Sequence, residues 1–257
     1  MSEGRRYDLY RDVDPLQQLR QAESACEVAY YGQTDRMAHK LHHYLAVYER
    51  HFSVFRRRPV RMLEIGVQNG GSLQMWRRYF GPEAVLHGLD IDERCRQIDD
   101  PDLRIHIGSQ ADTALLDAIV DEMGGGIDIV VDDGSHQCSH QIATFEHLWP
   151  RLADRGIYIC EDVQTSYWDD YGGGLRDPRS FIEYAKRKVD MLHAPYLRGG
   201  SESERDTTFA RQATSVLFYD GLVVFEKRER DIPYATVMGS RCIIPQLLEQ
   251  MAKSRRS

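Results

Sequence analysis

The sequence predicts an α/β protein built on a mostly parallel sheet. From residue 58 onward, short apolar runs alternate with amphipathic stretches, as in successive βαβ units. The first apolar run ends in a glycine-rich turn that leads into a helical pattern, as at the ligand-binding edge of an open parallel sheet. The last two β-rich runs flank Asp220-Gly221, a hairpin signal that adds an antiparallel pair to five strands of parallel type.

The elements follow in order. Residues 1–57 form a helical extension: Leu16, Leu19, Ala22, Cys26 and Ala29 recur at helical spacing, and so do Met37, Leu41, Tyr44, Leu45 and Tyr48. Gly32 reads as a C-cap, with Thr34-Asp35 as a following N-cap. In the domain at 58–228, Val60–Val67 is a buried strand, Ser72–Tyr79 a helix, and Ala84–Leu89 and Leu103–Ile107 strands. Ala111–Glu122 is a helix that stops at Gly124-Gly125-Gly126. Ile127–Val131 is a strand, Ser139–Leu152 a helix, Gly156–Cys160 a strand and Asp177–Leu192 a helix. Thr214–Tyr219 and Leu222–Glu226 make the hairpin. Residues 229–257 form an appendage with a basic tip at Lys253-Ser254-Arg255-Arg256, and Arg198–Asp206 is a polar loop that could order over a substrate.

Composition narrows the function. The 257 residues carry a net charge of −7, which argues against a protein that coats nucleic acid. No apolar run reaches the roughly 18 residues of a spanning helix, and the N-terminus lacks the apolar stretch of a secretory signal. The five cysteines show no C-x-x-C spacing and read as reduced thiols in a cytoplasm.

The turn after the first strand is Leu63-Glu64-Ile65-Gly66-Val67-Gln68-Asn69-Gly70-Gly71-Ser72. Glycines here let the backbone turn tightly and approach a ligand. The spacing is not G-x-G-x-x-G. An acidic residue, Glu64, followed by Gly66 and Gly70 suits an adenosyl cofactor without pyrophosphate better than a nicotinamide dinucleotide. The second strand ends at Asp90, 24 positions after Gly66, where a carboxylate can accept hydrogen bonds from a ribose diol. Ser109 and Gln110 follow the third strand, on the side where a nucleobase would lie; a plain βα-loop explains them as well.

The strongest signal is acidic. Asp132-Asp133-Gly134-Ser135-His136 ends the fourth strand and Glu161-Asp162 the fifth. If the two strands are neighbours, four carboxylates converge. Like charges that close raise one another's pKa, and a divalent cation relieves the conflict. Oxygen ligands suit Mg²⁺, with Mn²⁺ as a substitute. The bland alternative is a set of helix caps and solvated loop ends. His136 lies in the same loop and could be a ligand or a base; a base is favoured, because the carboxylates supply enough donors for a hard cation. Tyr167 and Trp168, in a loop rich in acids and glycines, could stack on a sugar. His87, His106 and His147 carry no motif.

The run LEIGVQNGGSLQMW, then HGLDID, DIVVDDGSH and YICEDVQTSYW, resembles the metal- and S-adenosylmethionine-dependent O-methyltransferases that tailor antibiotic sugars. The pattern is similar to the mycinamicin-type sugar 2-O-methyltransferases, and to deoxysugar and rhamnosyl O-methyltransferases, including that of the calicheamicin pathway. The resemblance spans roughly residues 37–228. It implies a class I methyltransferase, Rossmann-like seven-stranded sheet of order 3-2-1-4-5-7-6 with strand seven antiparallel. It also implies metal ligands at Asp133, Glu161 and Asp162, a general base at His136, a cofactor turn at Glu64, Gly66 and Gly70, and a ribose carboxylate at Asp90. The mycinamicin type carries an N-terminal domain that residues 1–57 are too short to match, which puts macrolide specificity in doubt. The family is usually oligomeric, so subunit contacts are expected at the N-terminal helices.

The function expected is Mg²⁺-dependent methyl transfer from S-adenosylmethionine to a hydroxyl of a deoxysugar such as rhamnose. The substrate would be a small glycoside or nucleotide-sugar, with no nucleic acid or membrane as partner. The rivals are a catechol or phenol O-methyltransferase, a cofactor-binding protein like that of cephamycin hydroxylation, and a nicotinamide oxidoreductase.

Overall fold

A computed structural model of the chain describes residues 13–201, 207–231, 234–239, 241 and 243. Seven strands form one sheet in the order 3-2-1-4-5-7-6. They are β1 (Arg61–Ile65), β2 (Val85–Asp90), β3 (Leu103–Ile107), β4 (Ile127–Asp132), β5 (Leu152–Cys160), β6 (Ala213–Phe218) and β7 (Val223–Lys227). The first five pair in parallel, and β7 runs antiparallel to β5 and β6. This is the order that the resemblance implied. The central β4 is apolar because both its faces are covered: Ile129 and Val131 face one layer of helices, and Val130 the other.

One layer contains α2 (Ala25–Tyr31), α3 (Tyr44–Phe52) and α4 (Gly71–Phe80). Its centre is aromatic: Tyr48 stacks on Phe52, and Trp76 meets both edge-on and Phe80 at a tilt, all fully buried. Truncating a buried side chain of that size typically costs about 3–5 kcal/mol. The other layer contains α5 (Thr113–Glu122), α6 (Cys138–Leu148) and α7 (Phe181–Leu192), packed through Phe145, Tyr158 and Phe225. The short α1 (Pro15–Gln21) precedes α2, and α8 (Thr208–Gln212) leads into β6.

The sequence patterns depart from the elements at their ends, for identifiable reasons. The first helical stripe is broken at residues 22–24, because Ser24 and Glu27 form a capping box that restarts the helix. The second stripe is helical only from Tyr44; residues 38–41 have no regular structure, and Met37 is exposed. No helix starts at Thr34-Asp35, whereas Gly32 does cap α2. Pro150 ends the run after α6 in a short 3₁₀ turn, so β5 starts at Leu152. Ser180 caps α7 by accepting from Glu183 N, so that helix begins three residues after Pro178. Residues 202–206 of the polar loop and the basic tip at 253–256 lie outside the described residues. Among the described residues, no helix is long and apolar enough to cross a membrane.

Candidate active site

The register Ile65↔Asp132↔Cys160 aligns the carboxyl ends of β1, β4 and β5. One step further along each chain stand Gly66, Asp133 and Glu161, at a shared edge. Gly66 has φ +89°, and a Cβ there would lie 1.9 Å from Asp133 O. Only glycine permits this contact between the first turn and the acidic loop. Gly70 begins α4 at φ +79°. Asp90 closes the turn from the side: its Oδ2 accepts from Val67 N (2.9 Å) and Gln68 N (2.8 Å).

The four carboxylates at the ends of β4 and β5 do not share one environment. Asp132 points to the α6 side, fully buried, and accepts from Tyr158 OH (2.7 Å) and Gln110 Nε2 (2.9 Å). Burial pushes its carboxyl up to about 6, against those two hydrogen bonds. The expected convergence of all four is therefore corrected to three, because successive strand residues face opposite sides of the sheet. Gln110 is engaged on every side-chain atom: Nε2 also donates to Thr144 Oγ1 (3.1 Å), and Oε1 accepts from Ser135 N (2.7 Å). Ser109 is half-buried, its Oγ accepting from Ala111 N (3.2 Å).

Glu161 is buried and held on both oxygens. Oε1 accepts from Tyr48 OH (2.5 Å), and Oε2 from Lys40 Nζ (3.0 Å). Lys40 also donates to Asp133 Oδ2 (2.7 Å) and lies 3.6 Å from Glu64 Oε1, with its side chain only 2% exposed. Glu64 in turn accepts from Ser72 Oγ (2.7 Å) and Trp76 Nε1 (3.2 Å). Burial opposes the charge on Lys40, but the carboxylates of Asp133, Glu161 and Glu64 outweigh it and raise its pKa. One ammonium does not balance so many acids. Burial, and then the charge of Asp133, push the Glu161 carboxyl up, opposed by Lys40 and Tyr48.

Asp133 and Asp162 converge on His136 from the open side. His136 Nε2 is 3.9 Å from Asp133 Oδ1 and 3.9 Å from Asp162 Oδ2, and one ligand atom from each of the three residues lies within 4.8 Å of the others. Those gaps exceed a hydrogen bond. His136 Nδ1 is buried without a partner. Asp162 is fixed from behind by Tyr44 OH, 2.8 Å from its Oδ1, and that hydroxyl is also 3.1 Å from the hairpin carbonyl of Gly221. Gln68, His136 and Asp162 all adopt positive φ (48°, 56° and 51°), a costly backbone state for non-glycine residues. Such strain gathers at functional sites. A hard oxygen donor set with excess negative charge suits a divalent cation.

The aromatic loop forms the outer rim. Tyr167 and Trp168 are 46% and 51% exposed, and the Tyr171 ring lies 6.4 Å from that of His136. Gln137 Nε2 donates to Asp170 O (3.1 Å), tying the rim to the acidic loop.

Sequence reading missed Lys40, Tyr44 and Tyr48. The two tyrosines were visible only as members of an apolar stripe and Lys40 not at all, although the three recur every four residues. Residues 37–41 cross the start of α4, where a Cβ on Gly71 would stand 2.2 Å from Met37 O.

Residues 63–163 match the methyltransferase domain family. The sheet of order 3-2-1-4-5-7-6 has the methyltransferase fold. The chain is related to sugar O-methyltransferases of antibiotic pathways. It is 40% identical over 197 residues to the 8-demethyl-8-alpha-L-rhamnosyl tetracenomycin-C 2'-O-methyltransferase of Streptomyces olivaceus, covering 73% of this chain and 51% of that one. It is 40% identical over 140 residues to the mycinamicin VI 2''-O-methyltransferase of Micromonospora griseorubida, covering 52% of this chain and 34% of that one. The solved MycE methyltransferase of the mycinamycin pathway, in complex with Mg, SAH and mycinamycin VI, superposes with a TM-score of 0.70 at 30% identity, covering 89% of this chain and 58% of that one. The chain spans about half the length of the S. olivaceus relative.

Proposed function

We propose that this domain transfers the methyl group of S-adenosylmethionine to a hydroxyl of a rhamnose-like deoxysugar on a small glycoside or nucleotide-sugar, with Mg²⁺ bound and Mn²⁺ as a substitute. The observation that carries the reading is the meeting of Asp133, His136 and Asp162 beside the Gly66 turn. The kinship with sugar O-methyltransferases supports the acceptor class.

Asp133 and Asp162 would hold the ion, with Glu161 within reach once Lys40 releases it. A divalent cation there supplies Lewis-acid lowering of a hydroxyl pKa. His136 takes the acceptor proton at Nε2, and the strained backbone of its loop holds the ring in place. Glu64, Gly66 and Gly70 shape the turn against the methionine part of the cofactor, and Asp90 meets the ribose hydroxyls. Ser109 lies on the nucleobase side, and Gln110 sets the height of the Ser135 loop. Tyr167 and Trp168 offer apolar faces to the sugar, and alignment of acceptor oxygen with the methyl supplies much of the acceleration.

The test is S-adenosylhomocysteine formation by the purified protein with rhamnosylated aglycones, an enediyne-linked rhamnose of the calicheamicin type among them, against a catechol. Turnover with a glycoside alone, abolished by EDTA or by Asp133→Ala while cofactor binding persists, is expected. Full activity in EDTA rejects the metal role, and preference for the catechol rejects the sugar.

A further inference from the structure

A second convergence of ligating side chains lies away from the acidic edge. His87 on β2, His106 on β3 and Glu122 at the end of α5 each present a ligand atom within 4.8 Å of the other two. His87 Nδ1 and His106 Nε2 are 2.9 Å apart, with the rings nearly parallel at 18°. His87 is 2% exposed, His106 half-buried and Glu122 exposed, so the set opens to solvent on one side. His87 stands three residues back from Asp90, or roughly 10 Å along the strand, and the helix carrying Glu122 returns toward the amino ends of the strands. The cluster is therefore separate from the site that holds Asp133 and Asp162.

We propose that His87, His106 and Glu122 form a zinc-type metal site that clips β2 and β3, at one edge of the sheet, to the end of α5. Two imidazole nitrogens and one carboxylate are the donor set of a borderline transition metal, unlike the oxygen-rich edge that suits Mg²⁺.

Burial pushes the His87 imidazole down to about 4, with His106 adding to the effect, and burial lowers His106 as well. Both rings are therefore neutral near pH 7, the form that binds metal. In the metal-free pair one ring donates its N–H to the other. Loading the ion requires that proton to move to the other nitrogen of its own ring, which leaves both facing lone pairs free. The C-terminal end of a helix carries partial negative charge and favours a cation, and Glu122 is the last residue of α5. The nearby cation Arg104 is turned to the carbonyl oxygens of Pro101 and Leu103, at 3.1 and 3.4 Å.

The experiment is calorimetric titration of the full chain with Zn²⁺ in excess Mg²⁺, with Asp133→Ala as the control for Zn²⁺ taken up at the acidic edge, alongside thermal unfolding with and without Zn²⁺. The wild type is expected to bind one equivalent that His106→Gln and Glu122→Gln lose or bind at least about tenfold more weakly, and Zn²⁺ should raise its unfolding midpoint more than theirs. Glu122 is exposed, so its variant keeps the fold and the test interpretable. No Zn²⁺ binding by the wild type, or equal stoichiometry and affinity in wild type and Glu122→Gln, overturns the proposal.

Discussion

The carboxylates at the ends of β4 and β5 form two tiers. Asp132 and Glu161 are inner: each is almost wholly buried and each accepts from a tyrosine, Tyr158 for one and Tyr48 for the other. Asp133 and Asp162 are outer, with side chains 18% and 31% exposed, and both face His136. The tiers are adjacent in sequence in both pairs. What separates them is depth of burial, not the side of the sheet: Asp132 is desolvated on the α6 side and Glu161 on the α3 side. The tiers still touch, because Lys40 binds both inner Glu161 and outer Asp133.

Substitutions can break that division. The largest effect is expected at Lys40. Lys40→Met leaves Glu161 and Glu64 buried without their cation, and removing one partner of a buried ion pair costs about 3–5 kcal/mol. Urea unfolding reads it, and an unchanged midpoint would mean that Glu161 and Glu64 do not depend on this lysine. His136→Ala acts on the outer tier. It should lower kcat by about 10²–10⁴-fold, the usual worth of a general base; an unchanged kcat would count against the assignment.

A pH experiment sharpens the comparison. Asp132 is raised from 3.8 to about 6 in the fold. The folded state therefore keeps this proton between those values while the unfolded chain has lost it. The contribution of Asp132 to stability is best below about pH 4, declines as pH rises to about 6, and stays low above. Two pKa units correspond to roughly 3 kcal/mol. Asp132→Asn should compare more favourably with wild type at pH 7 than at pH 4, as measured by unfolding at both. An identical difference at both pH values would place the Asp132 pKa at its unfolded value. The smallest effect is expected at the rim. Trp168→Ala should raise KM for a glycoside by several-fold, about 1 kcal/mol of stacking, and leave the unfolding midpoint nearly unchanged.

The sheet was largely legible in the chain. Alternating apolar runs and helical stripes marked all seven strands, and Asp220-Gly221 marked the turn before β7. The glycine turn was legible because Gly66 has a backbone duty that no other residue can perform. Asp133, His136 and Asp162 were legible because strand ends in a parallel sheet share an edge. Lys40 was not: its partners Asp133 and Glu161 lie 93 and 121 positions away. Nor were the ends of the N-terminal helices, where Ser24 overrode the apolar period.

Local pattern, then, determined the order of strands and helices, the turn that approaches a ligand, and the acidic character of the edge, because these depend on backbone geometry and on residues close in sequence. Tertiary structure alone decided which acid of each pair faces the open cleft, that a lysine from residues 37–41 sits among three carboxylates, and that His87 and His106 meet. Each of those outcomes depends on burial and on charges brought together across the sheet.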